Sequence, residues 1–111
     1  MSEAPARDLF PGALEMMILQ TLRREPMHGY ALAQTIQRQS SELLQVEEGS
    51  LYPALQRMLV KGWVVAEWKQ SENNRRARFY RLTPDGRKQL ARELREFGQV
   101  MGAIARVIEA V

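Results

Sequence analysis

The side chains best suited to ligand chemistry are arginines that lie close together past the middle of the chain. Arg75, Arg76, Arg78 and Arg81 fall within a short stretch. A guanidinium group is planar, permanently charged and able to donate two parallel hydrogen bonds to one phosphate. The cluster therefore indicates a surface that binds phosphate or another polyanion, with a solvated basic surface that binds no ligand as the alternative.

The net charge of +3 conceals this cluster because basic and acidic residues are unevenly distributed. Residues 1–47 contain 4 basic and 6 acidic side chains, residues 48–88 contain 9 and 4, and residues 89–111 contain 3 of each. Exposed charges interact only over about 10 Å at moderate salt, so the local concentration matters more than the total. The net charge of +5 on residues 48–88 marks this segment as the one that contacts a polyanion.

The composition excludes most catalytic and metal chemistry. The 111 residues include no cysteine and one histidine, His28. Thiolate metal sites, disulfides and cysteine nucleophiles are therefore excluded, and a single histidine disfavours a Ser–His triad or a histidine metal site. We expect one globular domain that is not an enzyme and needs no cofactor. Neither a signal peptide nor about 18 uninterrupted apolar residues occur, so we expect a cytoplasmic protein without a membrane span.

Hydrophobic spacing predicts two helices in the first part of the chain. The first covers about residues 11–24 and is apolar on two faces, which is typical of a helix buried on both sides. The second begins at His28, a turn residue whose ring is hydrogen-bonded, and runs to about Gln39. Residues 44–46 alternate in polarity and predict a small strand.

The third predicted helix has two unlike faces. It runs from about Gly49 to Lys61, with Pro53 in its first turn and Gly62 as its C-terminal cap. The apolar face consists of Leu51, Leu55, Met58 and Leu59. The opposite face carries Ser50, Ala54, Arg57 and Lys61, flanked by Tyr52 and Gln56. A helix that reads the DNA major groove needs this division, because it must bury one face and present the other.

A β-hairpin and a long helix follow. Residues 63–69 and 76–82 have strand-like alternation, and the polar residues 70–74 between them predict a turn. The predicted order is helix, helix, small strand, helix, strand, strand, long helix. This order is that of a winged helix-turn-helix, a mainly α fold with a small β-hairpin, followed here by a long C-terminal dimerisation helix.

The candidate DNA contacts divide by role. Phosphate contacts are assigned to Lys69, Asn74, Arg75, Arg76 and Arg78. Base contacts are assigned to Ser50, Gln56, Arg57 and Lys61, the last two being ambiguous between base and phosphate. Lys61 has the alternative of interacting with the helix dipole, and Tyr52 either donates its hydroxyl to a phosphate or packs as a core aromatic. We expect Arg81, Trp63 and Trp68 to pack or pair on the sheet.

The last helix begins at Thr83 and Pro84 and carries a heptad repeat. The repeat consists of Leu90, Leu94, Phe97, Met101, Ile104 and Ile108, spaced alternately by four and three residues. So regular an apolar seam predicts a homodimer, in which two reading helices face a palindromic DNA site. The alternative is packing of the seam on residues 11–24 of the same chain, and the two arrangements are compatible.

Four segments in order resemble the PadR family of bacterial transcriptional regulators. They are PGALEMMILQTL, MHGYALAQTI, QVEEGSLYPALQRMLVKGWVVAEW and NNRRARFYRLTPDGRKQL. The resemblance implies a winged helix-turn-helix that dimerises through its C-terminal helix and usually represses transcription, with residues 49–61 as reader and residues 70–78 as wing. Room for a single C-terminal helix implies the short subgroup. Some relatives bind small-molecule inducers at the dimer interface, but no motif here transfers that ability.

These observations predict three regions and one function. Residues 1–8 form a flexible tail, residues 9–82 the DNA-binding domain and residues 83–111 the dimerisation helix. The predicted function is that of a homodimeric, sequence-specific DNA-binding regulator, a repressor by resemblance. The alternative is a winged-helix adaptor that dimerises through its heptad helix and binds proteins instead of DNA.

Overall fold

Four helices and a small antiparallel sheet form the structure, a computed structural model that describes residues 12–70 and 72–110. The elements are α1 (Ala13–Arg24), β1 (Met27–His28), α2 (Gly29–Gln39), α3 (Glu48–Val60), β2 (Val64–Gln70), β3 (Arg76–Leu82) and α4 (Pro84–Glu109). The strands lie in the order β1–β3–β2. Three helices followed by a hairpin and a long helix confirm the predicted winged helix-turn-helix. The predicted tail, residues 1–8, lies outside the described residues.

Side-chain caps begin α2 and α4 where the sequence predicted them. The backbone N–H of Ala31 donates to Nδ1 of His28 over 3.2 Å, and the N–H of Gly86 donates to Oγ1 of Thr83 over 2.9 Å. Each cap satisfies a donor that has no partner inside its helix and contributes about 1 kcal/mol. Both predicted helix starts, and the hydrogen-bonded ring of His28, are thus confirmed.

The end of α3 is closed by the glycine cap that the sequence predicted. Gly62 has a φ of 79°, in the left-handed region where a residue without Cβ is not strained. Its N–H donates to the carbonyl of Leu59 over 3.1 Å, and the N–H of Trp63 donates to that of Met58 over 2.9 Å. This pair of bonds is a Schellman motif, which turns the chain from α3 directly into β2.

The hydrophobic core lies between the first three helices, one face of the sheet and the start of α4. It comprises Ile18, Leu19, Leu22, Leu32, Ile36, Leu51, Ala54, Leu55, Met58, Val64, Tyr80, Leu82 and Leu90. The inner halves of β2 and β3 supply Val64, Tyr80 and Leu82, while the outer halves extend beyond the helices into solvent. The core therefore holds α3 by one face and supports the hairpin only at its base.

A close backbone contact joins the start of α4 to the base of the hairpin. The hydroxyl of Thr83 donates to the carbonyl of Gly62 over 2.7 Å and lies 3.0 Å from that of Trp63. Gly86 packs so closely on the Trp63 carbonyl that a Cβ at this position would overlap it. These contacts fix the start of α4 against the turn between α3 and β2.

Two sequence predictions about the middle of the chain are wrong. Residues 44–46 form no strand, and the third strand is Met27–His28, which pairs with Tyr80 and Phe79 of β3. Helix α3 begins at Glu48, so Pro53 lies in its second turn and removes the hydrogen bond that its N–H would have given to the Gly49 carbonyl.

Helix α4 is the longest element, with 26 residues. Its first turns pack on α1, and Leu90 is buried there. From Leu94 onward most of its residues are exposed or half-exposed. No helix within residues 12–70 and 72–110 is both long and apolar enough to cross a membrane.

Candidate nucleic-acid interface

The outward face of α3 is rotated by about one residue from the face that the sequence predicted. Ala54, expected on the outer face, is fully buried at 0% exposure, because it lies on the same side as Leu51 and Met58. The exposed stripe instead contains Gly49, Pro53, Gln56 and Val60, with Ser50, Tyr52 and Arg57 beside it. Gln56 therefore occupies the middle of the surface that α3 presents.

Arg57 is exposed but has a partner within the chain. Its Nε donates to Oε2 of Glu15 in α1 over 2.9 Å. Glu15 is the less exposed member of this ion pair, at 19% against 57% for the Arg57 side chain. The ion pair places Arg57 on the flank of α3 that faces α1.

Tyr52 packs on the domain but remains partly exposed, which is compatible with both of the roles that the sequence left open. Its ring packs on the backbone of Gly29, where a Cβ would lie only 2.6 Å from the Tyr52 hydroxyl oxygen. The side chain nevertheless remains 43% exposed. Burial, with Glu48 and Tyr80 nearby, raises the pKa of Tyr52 above its ordinary value. The phenol therefore stays protonated at neutral pH and able to donate a hydrogen bond.

The remaining α3 candidates lie at its two ends. Ser50 is exposed in the first turn, where its own N–H donates to the Glu47 carbonyl over 3.0 Å. Lys61 caps the C-terminal end, and its Nζ lies 4.8 Å from the centre of the Trp63 ring. Lys61 thus has both the helix-end position and an aromatic partner, so its charge has a structural role in the free chain.

The hairpin carries the cationic candidates on both of its faces. Asn74, with a φ of 62°, turns the chain into β3, and Asn adopts this left-handed conformation more readily than most residues. Arg75 is exposed beside it. Three cations lie over aromatic rings: Arg76 over Trp68 at 5.3 Å, Arg78 over Tyr80 at 5.8 Å and Lys69 over Phe79 at 5.4 Å. The basic segment found in the sequence is therefore an ordered projecting surface.

The ion pairs of the hairpin leave its arginines available. Lys69 lies 3.8 Å from a carboxylate oxygen of Glu67. Within the part of the chain that the structure describes, neither Arg76 nor Arg78 has a carboxylate within 4.0 Å. Both guanidinium groups can therefore exchange water for phosphate without first breaking an ion pair.

A groove between α2 and α3 was missed by the sequence reasoning. It encloses about 430 Å³ and is lined by Tyr30, Ala33, Gln34, Gln37, Arg38, Glu42, Val46, Glu48, Leu51 and Tyr52. Nε2 of Gln34 donates to the exposed Tyr30 hydroxyl over 2.9 Å, which leaves the phenolic hydrogen free to be donated. The spacing of Tyr30, Gln34 and Arg38 by four residues was a signal that could have identified this exposed stripe.

The heptad residues of α4 become more exposed along the helix. Leu90 is buried, Leu94 is 42% exposed, Phe97 and Met101 are half-buried, and Ile104 and Ile108 are 46% and 75% exposed. Val100 and Val107, which the sequence analysis did not select, are also exposed. Among the described residues, the seam thus packs on α1 at its beginning, and its last residues, Ile104 and Ile108, form an exposed apolar face.

Glu93 lies among the first heptad residues and is unusual for a surface helix. Its Oε2 accepts a hydrogen bond from Gln89 over 2.7 Å. Its Oε1 is buried without a hydrogen-bond partner among the described residues. Burial raises the pKa of Glu93, and the nearby carboxylates of Glu15 and Glu96 act in the same direction. The carboxylate is consequently poorly accommodated in its charged form.

The chain is similar in sequence and in structure to known transcriptional regulators. The sequence model of the transcriptional regulator PadR-like family matches residues 18–92. The structure is similar to a transcriptional regulator from Clostridium thermocellum, with a TM-score of 0.83 and 25% identity over 92% of this chain and 99% of that one. A PadR-like transcriptional regulator from Bacillus cereus gives a TM-score of 0.80 and 26% identity over 94% of this chain and 99% of that one. An uncharacterized protein from Lysinibacillus sphaericus is 25% identical over 104 residues, 94% of this chain and 95% of its own length.

Proposed function

Because the chain belongs to the PadR-like family of transcriptional regulators, we propose that it is a homodimeric repressor that binds a palindromic site in double-stranded DNA. Members of this family are regulators and not enzymes. The observation that carries the proposal is the position of the exposed α3 stripe and the projecting basic hairpin on one winged-helix domain. A cytoplasmic location follows from this proposal, since the DNA of a bacterium lies there.

We assign the DNA contacts by position. Gln56, in the middle of the exposed stripe, reads a base, since a glutamine can pair with N6 and N7 of adenine. Ser50 and Tyr52 lie beside Gln56 on the same surface. Arg57 contacts DNA only if its ion pair with Glu15 breaks, or if its guanidinium group binds Glu15 and the DNA at the same time. Phosphates are contacted by the hairpin residues Lys69, Asn74, Arg75, Arg76 and Arg78, and by Lys61 at the end of α3.

The dimer is assigned to the second half of α4, where Ile104 and Ile108 are exposed among the described residues. The half-buried Phe97 and Met101 precede them in the same heptad seam. Water-exposed apolar residues in a heptad pattern are stabilised when a second helix covers them, at about 25 cal/mol per Å² of apolar area removed from water. Residues 83–111 therefore form the dimerisation region of the proposal, and residues 9–82 the DNA-binding domain.

The proposal is tested by DNA binding at low salt, with Gln56→Ala as the diagnostic variant. We expect the wild type to prefer its selected site over random DNA. Gln56→Ala should reduce that preference by about 1–3 kcal/mol if the contact is bidentate. Gln99→Ala, at an exposed glutamine of α4, is the matched control and should not change it. A stable dimer without DNA affinity at low salt would instead support the adaptor function.

A further inference from the structure

Trp68 occupies an unexpected position on the wing. The sequence predicted packing on the sheet, yet Trp68 is 58% exposed. It lies on the same face of β2 as the buried Val64 and the half-buried Ala66, but beyond Ala66, the last residue of that face that packs against the core. The core therefore does not account for a tryptophan here.

The strand register surrounds Trp68 with arginines. Trp68 is directly opposite Arg78, and Gln70 is opposite Arg76, so all four side chains lie on one face of the hairpin. The guanidinium carbon of Arg76 is 5.3 Å from the centre of the Trp68 ring, while that of Arg78 is 5.8 Å from the centre of the Tyr80 ring. Trp68 is thus the aromatic partner of Arg76, the first arginine of β3 after the tip of the wing.

The contact has a property that a salt bridge lacks. An aromatic face attracts a guanidinium group through the ring quadrupole and occupies none of its N–H donors. Arg76 is held in place with its donors available, whereas a carboxylate partner would have to be displaced by an incoming phosphate. Holding a long side chain before binding also reduces the entropy that is lost when the complex forms.

We propose that Trp68 is a positioning residue for DNA binding, which holds Arg76 over its ring so that the guanidinium group meets the DNA backbone in a set orientation. This inference rests on the proposed function. It adds an aromatic residue, one that touches no base, to the determinants of affinity. Because Trp68 acts through an arginine on phosphate, its effect is independent of the DNA sequence.

The test is a double-mutant cycle of Trp68 and Arg76, measured by DNA affinity. W68L removes the aromatic face but keeps an apolar side chain, and we expect about two- to fivefold weaker binding per wing to specific and random duplexes alike. W68F retains an aromatic ring and should bind DNA with nearly the wild-type affinity. In an R76A background, W68L should have no further effect.

The outcomes separate this inference from the proposed function. If the fold-losses of affinity caused by W68L and R76A multiply in the double variant, or if wild type and W68L bind DNA equally well, the proposed role of Trp68 is refuted. Neither result would contradict DNA binding by the protein. A wild type that binds no duplex at low salt would refute the proposed function and this role together. If W68L fails to fold, the fluorescence of Trp68 is measured instead, in a W63F background that leaves Trp68 as the single tryptophan. The emission should change when DNA binds, and this change should shrink when R76A is added.

Discussion

Replacing Arg75 and Arg76 together by alanine should flatten the salt dependence of DNA binding. Both side chains are exposed where β3 begins, and Arg76 has an aromatic partner but no carboxylate within 4.0 Å among the described residues. Such arginines contribute affinity by neutralising phosphates and releasing the counterions condensed on them. Their removal should weaken binding to every duplex, with the largest effect at low salt.

The size of the effect follows from the number of contacts. Each neutralised phosphate contributes about 0.9 to the slope of log affinity against log salt concentration. Two arginines in each of two protomers contact up to four phosphates, so the slope should become shallower by about 3.6. Between roughly 50 and 200 mM salt, the advantage of the wild type over the variant should then shrink by about 150-fold.

Fluorescence anisotropy titrations of a labelled duplex at four salt concentrations measure this slope. Arg23→Ala combined with Arg24→Ala is the matched control, because it removes an adjacent exposed arginine pair from the end of α1. Thermal unfolding of both variants checks that the fold is retained. An Arg75/Arg76 variant that keeps the wild-type slope would refute the assignment of the wing to phosphate.

Three further predictions concern the fold and the dimer. Gly86→Ala should lower the free energy of unfolding by about 1–3 kcal/mol, because the added Cβ would overlap the Trp63 carbonyl. Gly49→Ala is the control, since a Cβ at that position meets open space. Equal melting temperatures of the two variants would contradict the close packing of Gly86. Ile104→Glu should convert the dimer to a monomer in sedimentation analysis, because it would bury an unpaired charge in the interface, whereas Gln99→Glu should leave the dimer intact. An Ile104→Glu variant that remains dimeric would contradict the assignment of α4 to the dimer interface. The pKa of Glu93 is raised in the folded state, so the folded chain holds its proton to a higher pH than the unfolded chain does. The wild type should therefore lose stability relative to Glu93→Gln as the pH rises from the ordinary glutamate pKa through the raised pKa of the folded state. Parallel pH profiles of the melting temperatures would refute this.

The elements that depend on local sequence were predictable. Helical spacing located α1, α2 and α4, and strand alternation located the hairpin to within a residue. The caps at Gly62 and Thr83 were predictable too, because capping depends on residues three or four positions apart, and so was the start of α2 at His28. The fold class followed from the order of these elements and is supported by the matching regulator structures.

Features that depend on distant pairing were not predictable. Strand β1 consists of two residues and exists because Met27 and His28 pair with β3, far along the chain. Residues 44–46 alternate in polarity but pair with no strand among the described residues, so alternation alone misplaced the third strand.

The face of α3 illustrates a second limit. Ala54 was placed outside because it lies four residues after Ser50 and three before Arg57. Its position three after Leu51 and four before Met58, however, lies within the buried stripe. The ion pair of Arg57 with Glu15 joins residues 42 positions apart, and no local pattern indicates it. The cation–aromatic contacts of the wing required the register of β2 on β3, which alternation does not supply.

The decisive measurement of DNA reading by a dimer is the selection of bound duplexes from a random pool by the full chain. We expect enrichment of an inverted repeat whose half-sites are about 10 base pairs apart, since a two-fold dimer presents two copies of α3 to one side of the DNA. Enrichment of a single unrepeated site would contradict the dimeric reading of DNA. No enrichment at low salt would contradict DNA binding itself.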